Sequence, residues 1–141
     1  MEPSSTKSPD RKKVLFVCLG NSCRSQMAEA FARAFGSDVM EVASCGLHPA
    51  PSVSRTTRLV LAERGLDVSG HYPKSFSEVQ PESYDLIVNM SGMMLPAGLD
   101  SRVLHWDVMD PMGFPKEVYD QVADQIRGLV EGLIEDLRSR P

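Results

Sequence analysis

Apolar residues along this chain fall into two patterns that alternate: short unbroken runs, and longer stripes at helical spacing. Val14 to Cys18 is a continuous β-branched and aromatic run, the mark of a strand buried on both faces. From Ser25 to about Phe35, the residues Met27, Ala30, Phe31, Ala34 and Phe35 recur at helical spacing, and Gly36 suits the C-terminal cap of that helix. Val39 to Ser44 reads as a second strand, followed by a loop over Gly46-Leu47-His48-Pro49-Ala50-Pro51. Val53 to Arg64 predicts the next helix, with Gly65 past its end and Leu66 placed for the accompanying hydrophobic contact. A polar stretch through Lys74 leads to a helical turn near Phe76 to Val79. Asp85 to Met90 is a third strand and Val103 to Trp106 a fourth. After a loop from Asp107 to Pro115, a last helix is expected over roughly 116–138. There Val118, Val122, Ile126, Leu129, Val130, Leu133 and Leu137 form one stripe, with acidic and basic residues opposite.

Strands alternating with helices imply parallel pairing, right-handed crossovers and helices on both faces. The expected fold is a three-layer α/β/α domain over 13–141, with a four-stranded parallel sheet in flavodoxin-like order. In such a sheet ligands sit beyond the carboxyl ends of the strands, where Cys18 ends the first one. Residues 1–12 are polar and Pro/Ser-rich and read as a flexible N-terminal tail, with no apolar stretch of a signal peptide.

The 141 residues suffice for one core, and 42% hydrophobic with 24% charged residues is ordinary for a globular domain. A net charge of −4 argues against nucleic acid or an anionic membrane as partner, while leaving room for one focused positive site. Three cysteines, an odd number, point to free thiols in a reducing compartment, so the expected location is cytoplasmic.

The chemistry concentrates in the turn Cys18-Leu19-Gly20-Asn21-Ser22-Cys23-Arg24-Ser25, which joins the first strand to the first helix. Peptide N–H groups, the helix N-terminus and the Arg24 fork converge there, an arrangement suited to a tetrahedral oxyanion. The same groups favour the thiolate form of Cys18. Gly20 is expected to supply a backbone angle closed to bulky residues, and Asn21 tolerates the left-handed region. Ser25 can hydrogen-bond the sulfur. No metal or cofactor is required, because Arg24 and the peptide dipoles supply the electrostatic stabilisation.

This turn resembles that of the low-molecular-weight protein tyrosine phosphatases and of the arsenate reductases built on the same fold. Met27-Ala28-Glu29-Ala30 continues the likeness, Ser44-Cys45-Gly46 is similar to the family's Ser-Ala-Gly, and Asp67-Val68-Ser69-Gly70-His71 to the stretch after its second helix. Asp110-Pro111 occupies the place of the general acid. The resemblance implies Cys18 as nucleophile, Arg24 as transition-state clamp, and Asp110 as acid for the leaving group, then base for water. It implies residues 19–25 as phosphate binders, with Asn21 and Ser44 bracing the loop. In some members a cysteine placed like Cys23 forms a reversible disulfide with the nucleophile.

Other readings of the same residues exist. Cys18 and Cys23 could be small buried hydrophobes. Asp110 could merely open a turn before Pro111. A zinc site from Cys18, Cys23, Cys45 and His48 would need all four to converge beside a repelling Arg24. Cys45, His71 and His105 read as structural, and Met90, Met93 and Met94 as core and rim filler.

Two reactions compete. Ser22 and Gln26 look more like the reductases, yet the resemblance to the thioredoxin-coupled ones implies two further cysteines after the third strand, and none follows Cys45, so that relay is impossible and reduction needs an external thiol or redoxin. On the phosphatase side, only Phe114 is an obvious wall for a phosphotyrosine ring. The sequence favours a phosphomonoester hydrolase of the phosphotyrosine type, with an arsenate reductase second and a phospho-ligand binding module without turnover third.

Overall fold

A computed structural model describes residues 11–96 and 98–139. Strand β1 (Lys12–Cys18) runs into helix α1 (Arg24–Phe35), followed by β2 (Met40–Gly46), α2 (Arg55–Glu63), β3 (Leu86–Asn89), β4 (Val103–His105) and α3 (Lys116–Arg138). The four strands pair in the order β2-β1-β3-β4, all parallel. Because β1 is central, both its faces are covered, and Val14, Leu15, Phe16 and Val17 are wholly buried. Each such side chain contributes about 1.5–3 kcal/mol by leaving water.

The two faces differ. Val14, Phe16 and Cys18 point into the main core, built with α1, α2 and α3. Leu15 and Val17 point into a smaller one with Cys45, Ile87 and Leu99, closed by Phe76, Val79, Tyr84 and Leu95. All three α-helices contribute to the first core. The second is covered by loops and two single 3-10 turns, Pro81–Ser83 and Asp100–Arg102, where helices were expected. The segment near Phe76 to Val79 forms turns, too short to count as a helix.

The first strand starts two residues before the expected Val14, because Lys12 pairs with Met40 and the Arg11 guanidinium donates to the Met40 carbonyl at 3.1 Å. Of the expected tail, residues 1–10 lie outside the described residues. Helix α1 departs from its predicted stripe: Arg24 through Ala32 are all buried, whereas Ala34 and Phe35 are exposed. The first turns of α1 are enclosed on every side, so polar residues there are interior residues. Phe35 instead stacks on Phe31 and carries the Arg127 guanidinium 4.9 Å from its ring centre.

Gly36 caps α1 without a left-handed backbone (φ −133°). It is small because α3 lies against it: a Cβ there would stand 2.6 Å from Ile134 Cγ1. Helix α2 ends as predicted. Gly65 adopts φ +79°, its N–H reaches the Ala62 carbonyl and the Leu66 N–H that of Leu61, with Leu66 packed on the core. The last helix has the expected bounds, and Tyr119, Ala123 and Ile134 join the predicted stripe in the core.

Candidate active site

The loop after β1 is shaped from outside. The segment after β2 runs alongside it, and its N–H groups take the loop's carbonyls in turn. Leu47 donates to the carbonyl of Cys18 (3.2 Å), His48 to Leu19 (2.8 Å), Ala50 to Gly20 (2.9 Å) and Ser54 to Ser22 (3.0 Å). The Asn21 carbonyl accepts from Gln26 Nε2 at 3.1 Å. In a trans peptide the N–H points opposite to the C=O, and no described peptide is cis. The N–H groups of Leu19, Gly20, Asn21, Ser22 and Cys23 therefore turn inward, which makes a cup for an anion at the entrance of α1.

Two backbone positions make the cup possible. Asn21 has φ +51°, as its residue type suggested. Gly20 is not left-handed, and a Cβ on it would meet Ala50 Cβ at an ordinary 3.7 Å, so the strained angle expected there is absent. The obligatory glycine is Gly46 on the neighbouring strand. A Cβ there would stand 2.7 Å from Asn21 N and 2.8 Å from Leu19 O, both backbone atoms of the loop.

Beneath the cup, Cys18 Sγ lies 2.8 Å from Ser25 Oγ. Asn21 Nδ2 donates to Ser25 Oγ at 2.7 Å and to Ser44 Oγ at 2.9 Å. Its Oδ1 accepts from the Lys74 N–H at 2.8 Å and from Gln26 Nε2 at 3.2 Å. All four hydrogen-bonding positions of Asn21 are thus used. Gln26 also donates to the Tyr72 carbonyl at 3.2 Å, and its Oε1 lies 2.8 Å from His71 Nδ1. Since Nε2 faces carbonyl oxygens, Oε1 is the acceptor and His71 carries its proton on Nδ1. Burial pushes the His71 pKa below its ordinary value, against an upward pull from Glu29. His71 is accordingly a strut of the loop.

Arg24 is held by the other end of the sheet. Its Nη1 donates to the Met90 carbonyl at 2.6 Å and to that of Val108 at 3.0 Å. Its Nη2 lies 3.7 Å from Asp110 Oδ2, and Asp110 Oδ1 accepts from the Met112 N–H at 3.1 Å. The Asp-Pro loop therefore brings a carboxyl to the arginine of the cup. The side chain of Arg24 is 8% exposed and that of Asp110 43%, so the clamp is interior and the carboxyl faces the opening.

Cys23 is buried, and desolvation pushes its pKa up to about 12, although Thr57 hydrogen-bonds it and Arg24 favours its ionised form. Its thiol is protonated at neutral pH. Cys45 belongs to the other core and is likewise pushed up to about 12 by burial. Among the described residues, no group of three or more His, Cys, Asp or Glu side chains gathers as a metal site would require. The sequence reading named Glu29, Gln26 and Gly46 only within the resemblance and gave none of them a place in the site. Gln26 and Glu29 lie in the first turns of α1, which are enclosed on every side, so helical spacing gave no sign that they are interior.

A strand, an anion-shaped turn and a helix entrance holding a cysteine and an arginine define a class of oxyanion-binding α/β proteins, and comparison with known proteins gives the family. Residues 13–140 match the low molecular weight phosphotyrosine protein phosphatase family, and the chain belongs to it. It is 36% identical over 115 residues to a glutaredoxin arsenate reductase of Synechocystis sp., covering 79% of this chain and 87% of that protein. A solved arsenate reductase in a phosphate-binding state superposes with TM-score 0.81 at 35% identity, covering 89% of this chain and 98% of the other. The YwlE arginine phosphatase of Geobacillus stearothermophilus superposes with TM-score 0.82 at 26% identity, covering 91% and 94%. Among the described residues, no helix is long and apolar enough to cross a membrane.

Proposed function

We propose that this protein hydrolyses phosphomonoesters through a phosphocysteine on Cys18. The observation that supports the reading is a hydrolytic set complete within one cup. A thiol is hydrogen-bonded to Ser25, inward N–H groups run from Leu19 to Cys23, and Arg24 is fixed by two carbonyls with the Asp110 carboxyl beside it. The Cys18 thiolate attacks phosphorus as the ester P–O bond breaks, and protonated Asp110 gives its proton to the departing oxygen. The charge on the transferring group is held by Arg24 and the peptide N–H groups. Asp110, now a carboxylate, takes a proton from the water that attacks phosphorus. The S–P bond then breaks toward a thiolate that Ser25 stabilises. Residues 19–25 hold the oxyanion, Asn21 and Ser44 brace the loop, and 13–141 form the catalytic domain. The phosphotyrosine type remains the substrate class the chain's own family name suggests.

Arsenate reduction is the second reading, favoured by the arsenate reductases among the relatives and by Ser22 and Gln26. Cys18 would displace hydroxide from arsenate. An external thiol or redoxin would then attack the sulfur of that adduct, releasing arsenite as arsenic gains two electrons and a mixed disulfide forms. A second external thiol would free Cys18. The external reductant is needed because the chain holds only three cysteines, of which Cys23 and Cys45 are buried and protonated. A Cys18–Cys23 disulfide would protect the nucleophile, at a rate limited by that protonation.

The deciding experiment measures p-nitrophenyl phosphate hydrolysis and thiol-coupled arsenate reduction on one preparation, with glutathione and with a glutaredoxin as reductants. Hydrolysis with a phosphocysteine burst is expected. Robust reduction with negligible hydrolysis would reverse the order, and binding of phosphate without either activity would leave only a binding module.

A further inference from the structure

The loop that carries Asp110 is tied to the body of the protein on both sides of the carboxyl. Before it, Gln125 of α3 donates to the Asp107 carbonyl at 3.1 Å, and Arg24 to that of Val108 at 3.0 Å. After it, Pro111 is buried, and the Tyr119 hydroxyl donates to Met112 Sδ at 3.2 Å. Met112 in turn gives its peptide N–H to Asp110 Oδ1 at 3.1 Å. A phenol on α3 is thus linked to the carboxyl through a single intervening residue.

Tyr119 is suited to hold that residue at a fixed height. It is 5% exposed and packs in the main core, so its hydroxyl projects from a rigid base. A buried phenol needs partners for that hydroxyl. One is Met112, and the other is Ser54, the N-cap of α2. Ser54 is also part of the frame of the cup, because its peptide N–H takes the Ser22 carbonyl at 3.0 Å. The proton directions follow from the acceptors. A thioether can only accept, so the phenol proton belongs to Met112 and the phenol oxygen receives the proton of Ser54. Ser54 Oγ in turn accepts from the Thr57 N–H at 3.0 Å and from Thr57 Oγ1 at 2.6 Å. One hydroxyl therefore joins the frame of the cup to the loop that bears the carboxyl.

We propose that Tyr119 is a positioning residue for the general acid: through the Met112 thioether, its hydroxyl sets the place of the Asp110 carboxyl over the cup. The inference rests on Asp110 as the acid of phosphomonoester hydrolysis. Because a thioether is a weak acceptor, the effect of losing the contact should be moderate and confined to the step that uses the acid.

Two variants break the contact from opposite ends. Tyr119→Phe keeps the ring and removes the hydroxyl, and Met112→Leu keeps an apolar side chain and removes the sulfur. In each, kcat/KM should fall about 5- to 10-fold for phenyl phosphate but at most about 2-fold for p-nitrophenyl phosphate, whose leaving group needs little help from a proton. The double variant should match the single ones, since both remove one contact. In an Asp110→Asn background, with no acid left to place, Tyr119→Phe should change neither rate, whereas a purely structural loss would persist there. Solvent exchange at the Met112 and Phe114 amides, followed by nuclear magnetic resonance, should rise about 3- to 10-fold in both single variants and needs no substrate. Unchanged exchange, or an undiminished loss in the Asp110→Asn background, overturns the proposal. Should the wild type hydrolyse neither ester, the hydrolysis reading fails instead, and the exchange rates alone decide whether Tyr119 holds the loop.

Discussion

The cup and its rim are built on opposite terms. In the cup every polar side chain is interior, and loop carbonyls, Asn21 and Arg24 all have partners on two or more separate segments. At the rim, Met94 in the loop after β3 is 93% exposed, and Phe114 and Met112 in the Asp-Pro loop are 51% and 49% exposed, with the Tyr119 hydroxyl donating to Met112 Sδ at 3.2 Å. A geometry so over-determined can hold an anion without reorganising when charge develops, which is where catalytic electrostatics is won. An open rim of methionines and one aromatic ring can adapt to varied substrates or partners. The contrast predicts that chemistry lives in the cup, while selectivity lives in side chains that contribute little to stability.

The largest effects should therefore come from the cup. Cys18→Ser should lower turnover by more than about 10⁴-fold while phosphate still binds, as measured by calorimetry and steady-state kinetics. Asp110 stands where the two regions meet. Asp110→Asn should cost on the order of 100- to 1,000-fold with aryl phosphates, and more for poor leaving groups; equal slowing across leaving groups would remove the acid role. Gly46→Ala puts a methyl 2.7 Å from Asn21 N and should cost about 1–3 kcal/mol of stability and about 100-fold in kcat, through displacement of the loop. Gly20→Ala, with room for its methyl, should do neither, and a reversal of the two results would mean the cup is shaped from within.

The same contrast explains what could be read from the residues alone. Parallel pairing and the last helix follow from apolar runs and stripes, strand order from the family resemblance, and the structure has all three. Asn21 was legible because its residue type suits a left-handed angle, whereas Ser44 and Asp110 were picked out through the family resemblance. The need for glycine at Gly46 was not legible, because it comes from a loop distant in sequence that presses on β2. Glu29 was hidden for a similar reason: helical spacing marks one buried face, whereas α1 is enclosed all round by elements that join it only on folding. Coverage of the second sheet face by 3-10 turns also escaped, since short polar connections carry no periodicity.

At the rim the effects should be small and confined to binding. Phe114→Ala should change KM for an aryl phosphate about 2- to 5-fold, with kcat and melting temperature near wild type. A large fall in kcat would place Phe114 within the chemistry and narrow the difference between the two regions.

The smallest effect concerns the strut behind the cup. His71 is neutral in the folded protein because burial lowers its pKa, and its Nδ1–H holds Gln26, which in turn holds Asn21. Unfolded, the same imidazole titrates near its ordinary value of 6.5. Between that value and the lowered folded one, the unfolded chain binds more protons, so stability falls as pH falls through this window. Wild type should lose melting temperature between pH 7 and pH 5 from this residue. His71→Asn keeps an N–H near the same place without a titrating ring, and its melting curve should be flatter over that range. Equal slopes for the two proteins would show that the strut does not couple to protons, and that the cup is insulated from acid on the His71 side.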